Sequence, residues 1–169
     1  MSEAIDKPEP EGIGGWMILP VLGMFGTIIL TGLNLLSLFN PETREGLKNI
    51  FSSGTGMEAL RLPVLLDYIG GIAIVIFAVI TLYSMFTRHP LAIKIIITYF
   101  ILLFLSSAAD FWAVSRIDTI INTKMSFKAF EGLLRSAVAA TIWIPYFLMS
   151  NRSQNTFGRR DTRIPDVFD

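Results

Sequence analysis

The chain has 169 residues, enough for one domain; 52% are hydrophobic and only 17% are charged, well under the roughly one quarter usual in soluble domains. Its 14 basic and 14 acidic residues cancel, so no overall field draws nucleic acid or an acidic partner. With no cysteine and one histidine, His89, disulfides, thiolate metal sites, cysteine nucleophiles and histidine clusters are excluded.

Residues 1–12 carry two prolines and four acids and read as a disordered acidic tail. Being net acidic and followed by a very long apolar run, they are not expected to form a cleavable leader. A helix needs about 20 apolar residues to cross roughly 30 Å of hydrocarbon. Gly12 to Pro41 contains no charge, which predicts a first span over 15–39. The longest loop follows, Asn40 to Pro63. Its Pro41-Glu42-Thr43 start and the run to Phe51 can form a short interfacial helix, broken by Ser52 to Gly56. A second span is expected over 65–87, stopped by Arg88-His89-Pro90. Proline starts helices but does not continue them, so Pro90 opens the next.

The third span is uncharged only from Ile95 to Ala109, about 22 Å of helix. It must take in charge to cross, and is predicted over 91–115, with Lys94 snorkelling at one end and Asp110 near the other. The fourth is uncharged from Ser136 to Asn151 and must reach back through Arg135, giving 129–150. Glu131 and Arg135, four apart, share a face there. Residues 151–169 form a polar tail with four arginines. These segments are apolar on every side, as in a membrane. The expected fold is an all-α integral membrane four-helix bundle with antiparallel up-down connections.

Four antiparallel spans put both termini on one side, here called the terminus side, and gather polar residues at the far side. Asn34 closes span one there and Asp67 opens span two. Asp110 closes span three, and Glu131 with Arg135 opens span four. A charge in the membrane centre costs about 2.5–3.5 kcal/mol, so pairing is favoured, and an Asp110–Arg135 ion pair is the sharpest expectation. Tyr99, Ser106 and Asp110 fall on one face of span three, and Arg135, Ala139 and Tyr146 on one face of span four. Were those faces to meet, a polar stripe would run through the bundle. Pro20 and Pro145 are candidate kinks. Gly70-Gly71, Gly23 with Gly26, and Ser136 with Ala140 allow close helix approach. Trp16 and Tyr83 suit one aromatic belt, Trp112 and Tyr68 the other. Basic residues near span ends, Arg88, Lys94 and Arg152, favour cytoplasmic termini.

At its two ends the chain carries Gly14-Gly15-Trp16-Met17-Ile18-Leu19-Pro20 and Ile142-Trp143-Ile144-Pro145-Tyr146-Phe147-Leu148, followed by Ser150, Arg152 and Asn155-Thr156-Phe157. Together these resemble a bacterial membrane family known as domain of unknown function 2569. The resemblance implies a small four-span protein of the bacterial cytoplasmic (inner) membrane, and implies no activity. No nucleophile-base arrangement, metal-ligand spacing or cofactor motif is present, so neither catalysis nor a cofactor is expected. The expected partners are the lipid bilayer and a second copy or another membrane protein. Two roles remain: a structural or regulatory protein working by helix contacts, or a small transporter or channel using the Asp/Arg cluster.

Overall fold

Hydrocarbon offers the backbone no hydrogen-bond partner, so a crossing segment must satisfy its own amides, and helix is the form that does so within one segment. The computed structural model describes residues 12–54, 56–117 and 122–157, and the regular elements among those residues are all helices. A short 3-10 turn, Gly15–Met17, leads into α1, Ile18–Leu36, and a second, Ser37–Phe39, ends it. Next come α2, Pro41–Phe51, and a 3-10 turn, Glu58–Leu60, leading into α3, Arg61–Phe86. Then follow α4, Ala92–Ser115; α5, Asn122–Met149; and α6, Asn151–Phe157. Four stretches are long and apolar enough to cross a membrane: Gly15–Phe39, Glu58–Phe86, Ala92–Ser115 and Lys124–Met149. The four-span, all-α architecture expected from hydropathy is the one found. The second and fourth spans start several residues earlier than hydropathy alone placed them, because each helix runs on into its charged approach before unwinding.

The helix α2 occupies the loop after the first span, as its Pro41 start predicted. Proline at the first position loses nothing, since that amide has no partner within the helix. Its far end is capped by a cation. Arg61 donates from Nε to the Ile50 carbonyl at 2.8 Å and from Nη2 to the Ser52 carbonyl at 2.8 Å. The tight α3–α4 turn is a Schellman motif: the His89 amide reaches back to the Ser84 carbonyl at 2.9 Å and the Arg88 amide to Met85 at 3.1 Å. The left-handed position, normally glycine, is held by Arg88 at φ 49°.

The helix α4 is central, packed between α3 and α5, while α1 packs on α3. No comparable contact joins α1 to α5, so the bundle is open along that side. Packing is also uneven along the membrane normal. The main core comprises Met17, Val21 and Met24 of the first span, Ala78, Leu82 and Met85 of α3, Ala92, Ile96, Tyr99 and Phe100 of α4, Phe147 and Phe157. Every one of these lies in the terminus-side half. Glycines on α3 tighten its middle. A Cβ at Gly70 would strike Ser106 of α4, and one at Gly71 would lie 3.2 Å from Thr31 of α1. Close approach was expected at these glycines. Gly23 and Gly26 do the opposite: nothing lies within 4 Å of a Cβ at either. They face the open side.

Two of the sequence expectations change here. The polar tail after residue 150 begins as α6, whose Ser153, Thr156 and Phe157 are buried. Pro20 sits in the first turn of α1, where its missing amide costs nothing and no kink is required. Pro145 lies inside α5, which continues to Met149. Residues 1–11, most of the predicted acidic tail, lie outside the described residues, as do 158–169.

Candidate functional site

Starting from the terminus-side helix ends Phe86, Ala92 and Met149 and counting about 20 residues, one hydrocarbon thickness, arrives at Asp67, Phe111 and Phe130. Asp67, Asp110 and Glu131 thus stand at one depth, near the far boundary, and Asn34 of α1 reaches the same level. Arg135 is one turn, about 6 Å, deeper. In the plane of the membrane the five residues divide into two groups.

The first group sits between α3, α4 and α5. A pocket of about 330 Å³ there is lined by Asp67, Ser107, Asp110 and Lys128, with Pro63, Val64, Val114, Met125, Ala129 and Gly132 as its other walls. Asn34 reaches it from α1, donating from Nδ2 to Asp67 Oδ2 at a long 3.4 Å. Asp110 Oδ1 is buried with no hydrogen-bond partner. Lys128 is a pocket residue that the sequence analysis does not single out. The signal that would have found it is its spacing with Met125, Ala129 and Gly132, one helical stripe facing α4.

The second group is on α5 itself. Arg135 Nη2 donates to Glu131 Oε1 at 2.7 Å, and the two side chains are 76% and 55% exposed. The expected Asp110–Arg135 ion pair does not form. The antiparallel register explains why. Asp110 lies in the pocket beside Lys128, Ala129 and Gly132, whereas Arg135 lies with Leu103 and Ser107 a turn further in. Glu131, one turn away on the same helix, is the nearer partner. The expected stripe is also shifted on α4: Ser107, not Ser106, faces α5, and Ser106 is taken up against Gly70.

Arg135 borders a second space. Between α1 and α5, with α4 as its floor, runs a cleft of about 500 Å³. It extends from Thr31, Ser107 and Gly132 at the far end to Leu19, Tyr99 and Trp143 at the inner end. Ser136, buried and turned to the Leu133 carbonyl at 2.9 Å, lies on the α5 wall. The pocket and the cleft share Ser107 and Gly132 and so are successive spaces along one α4–α5 seam.

On the terminus side the first and last described segments meet in a clasp. The Gly12 amide donates to Thr156 Oγ1 at 3.0 Å, and Arg152 Nε donates to the Gly12 carbonyl at 3.3 Å. The Arg152 guanidinium then lies against Gly14 and Gly15, where a Cβ would come within 2.9 Å of it. Gly15 is at φ +57°, a second reason for glycine. Arg88 approaches the same segment, 3.7 Å from a Cβ at Gly12. Following this clasp, Trp143 meets Tyr146 edge-on at 5.6 Å and Tyr146 meets Phe147 at 5.5 Å. The two terminal motifs recognised separately in the sequence thus form one contact in space.

A family model, protein of unknown function (DUF2569), matches residues 10–158, from the start of this clasp to its end. The chain belongs to that family. In this DUF2569 chain the Gly14-Gly15 start meets Arg152, just beyond the Trp-Ile-Pro-Tyr-Phe end. No curated protein and no solved structure matches the chain.

Proposed function

We propose that this multi-pass membrane protein acts through contacts in the plane of the bilayer, as a structural or regulatory partner of another span, with the outward face of α5 as the contact. The observation that carries this is the Glu131–Arg135 pair, exposed on a helix face within a membrane span. A guanidinium has five N–H donors, and one is engaged by Glu131. Hydrocarbon has nothing to offer the rest, so a protein partner at that depth gains more from this face than from the purely apolar faces around it. Leu134, Val138 and Ile142, all exposed, continue the face inward. The reading assigns no catalysis and no cofactor. Its setting in this reading is the bacterial inner membrane, which the family resemblance implies, with both termini cytoplasmic on the strength of Arg88, Lys94 and Arg152 near the span ends.

A photo-crosslinking residue at Val138, compared in cells with one at the equally exposed Ile72 of α3, tests the contact. Discrete protein adducts at position 138 and lipid adducts alone at 72 are expected. Lipid adducts alone at both positions would remove the proposal.

One observation favours a second reading, a small transporter or channel. The pocket of Asp67, Asp110 and Lys128 opens near the far boundary and holds an unpartnered carboxylate oxygen. Solute or cation flux into vesicles reconstituted with the pure protein, abolished by Asp110→Asn, would favour that role. Absence of flux across a panel of small cations and amino acids leaves the contact role.

A further inference from the structure

The cleft between α1 and α5 has a shape that selects its occupant. Its far and inner ends are 12 residues apart on α1, Thr31 to Leu19, which is about 18 Å of helix. Its empty space up to the mouth, about 1140 Å³, spread over that length leaves a mean section of about 63 Å². A helix with side chains is about 10–12 Å across, or at least about 80 Å² in section, so no helix of a partner or of a second copy enters it. A single hydrocarbon chain does. The length agrees too: one leaflet of hydrocarbon is about 15 Å deep. The cleft begins near Thr31 and Gly132, runs past mid-membrane alongside Met24, Tyr99 and Phe100, and ends at Leu19 and Trp143 against the packed core. Its walls are Pro20, Gly23 and Met24 on α1, Phe100 and Leu103 on α4 and Trp143 on α5.

Charge marks one end. Arg135 lines the far end of the cleft, and its guanidinium reaches back toward the boundary to meet Glu131. Lys128 stands exposed two turns closer to the loop on the same helix. Glu131 offsets one of these two cations, and the positive charge left over at the far end of a slot wide enough for hydrocarbon complements an anionic phospholipid rather than a zwitterionic one.

We propose that the cleft between α1 and α5 is a binding site for one anionic phospholipid of the far leaflet, one acyl chain lying in the cleft and the phosphate held by Arg135. The site shares Arg135 with the contact face proposed for α5, and the lipid readout below tests it separately from protein crosslinking at Val138. A lipid seated there closes the open side of the bundle and fixes the spacing of the first and fourth spans.

The full chain, delipidated in mild detergent, is titrated with dimyristoyl phosphatidylglycerol or dimyristoyl phosphatidylcholine and read by native mass spectrometry. The expected result is one tightly held phosphatidylglycerol per chain, preferred about tenfold over phosphatidylcholine. Arg135→Gln brings the two lipids to parity. Gly23→Leu fills the slot, where a Cβ meets nothing within 4 Å, and removes the bound lipid while helical content is unchanged. Should Gly23→Leu not fold, Gly26→Leu makes the same test, since its Cβ also meets nothing within 4 Å. Equal lipid retention by wild type and the leucine variant, or a headgroup preference untouched by Arg135→Gln, overturns the proposal. So does a disulfide-linked dimer of Gly23→Cys, which would put a second copy in the cleft; the native chain has no cysteine to confuse that result.

Discussion

The two halves of this bundle, divided at mid-membrane, are built on different principles. In the terminus-side half all four spans converge on a close-packed core, and the chain ends are tied across it by Arg152, Gly12 and Thr156. In the far half a pocket opens between α3, α4 and α5, a cleft begins between α1 and α5 that runs on past mid-membrane, and the polar residues of the membrane collect there. In lipid there is no hydrophobic force between helices, so packing and hydrogen bonds decide where they stay together. Where side chains interlock, the helices are held. Where small residues, carboxylates and a guanidinium face each other, they stand apart and leave space for something else. The near half is the frame and the far half the part available to partners.

Substitutions can break that division or sharpen it. The largest effect is expected for Phe147→Ala, since that ring is fully buried against both the core and Tyr146. The lost contacts and residual cavity should cost about 3 kcal/mol, read as a lower unfolding midpoint in detergent. Arg152→Ala should cost about 2 kcal/mol by breaking the clasp. Limited proteolysis would show it as new cleavage near Gly12 to Trp16. Gly15→Ala should cost about 1–2 kcal/mol, because the left-handed backbone at φ +57° is strained for any Cβ. Its unfolding midpoint should fall while Gly23→Ala, in open space, stays within about 0.5 kcal/mol of wild type. The smallest effect is expected in the far half. Asp110→Asn removes a charge whose Oδ1 has no partner, and folded yield should stay equal or rise, by less than about 1 kcal/mol in stability. If Asp110→Asn costs as much as Phe147→Ala, the far half is as much a part of the frame as the near half, and the division fails.

Arg88 qualifies the comparison from within the near half. It holds a left-handed position that glycine would fill with less strain, and its guanidinium reaches the Gly12 segment. The strain is tolerated where the side chain has a contact to make, and the clasp supplies that contact.

Composition and the spacing of charges determined the solvent, the number of crossings, the antiparallel order and the common depth of Asn34, Asp67, Asp110 and Glu131. These follow from the length of helix that hydrocarbon demands and from the connectivity, both one-dimensional properties of the chain. Rotation about each helix axis and register between neighbours are not one-dimensional, and only the tertiary structure decided them. It turned Ser106 to Gly70 and Ser107 to α5, and it gave Arg135 to Glu131 instead of Asp110. It also brought Lys128 into the pocket, left Gly23 and Gly26 facing an open cleft, and joined two distant motifs through one arginine. A segment apolar on every side has no amphipathic stripe to announce which face turns inward, so that choice rests on small differences in packing between whole helices.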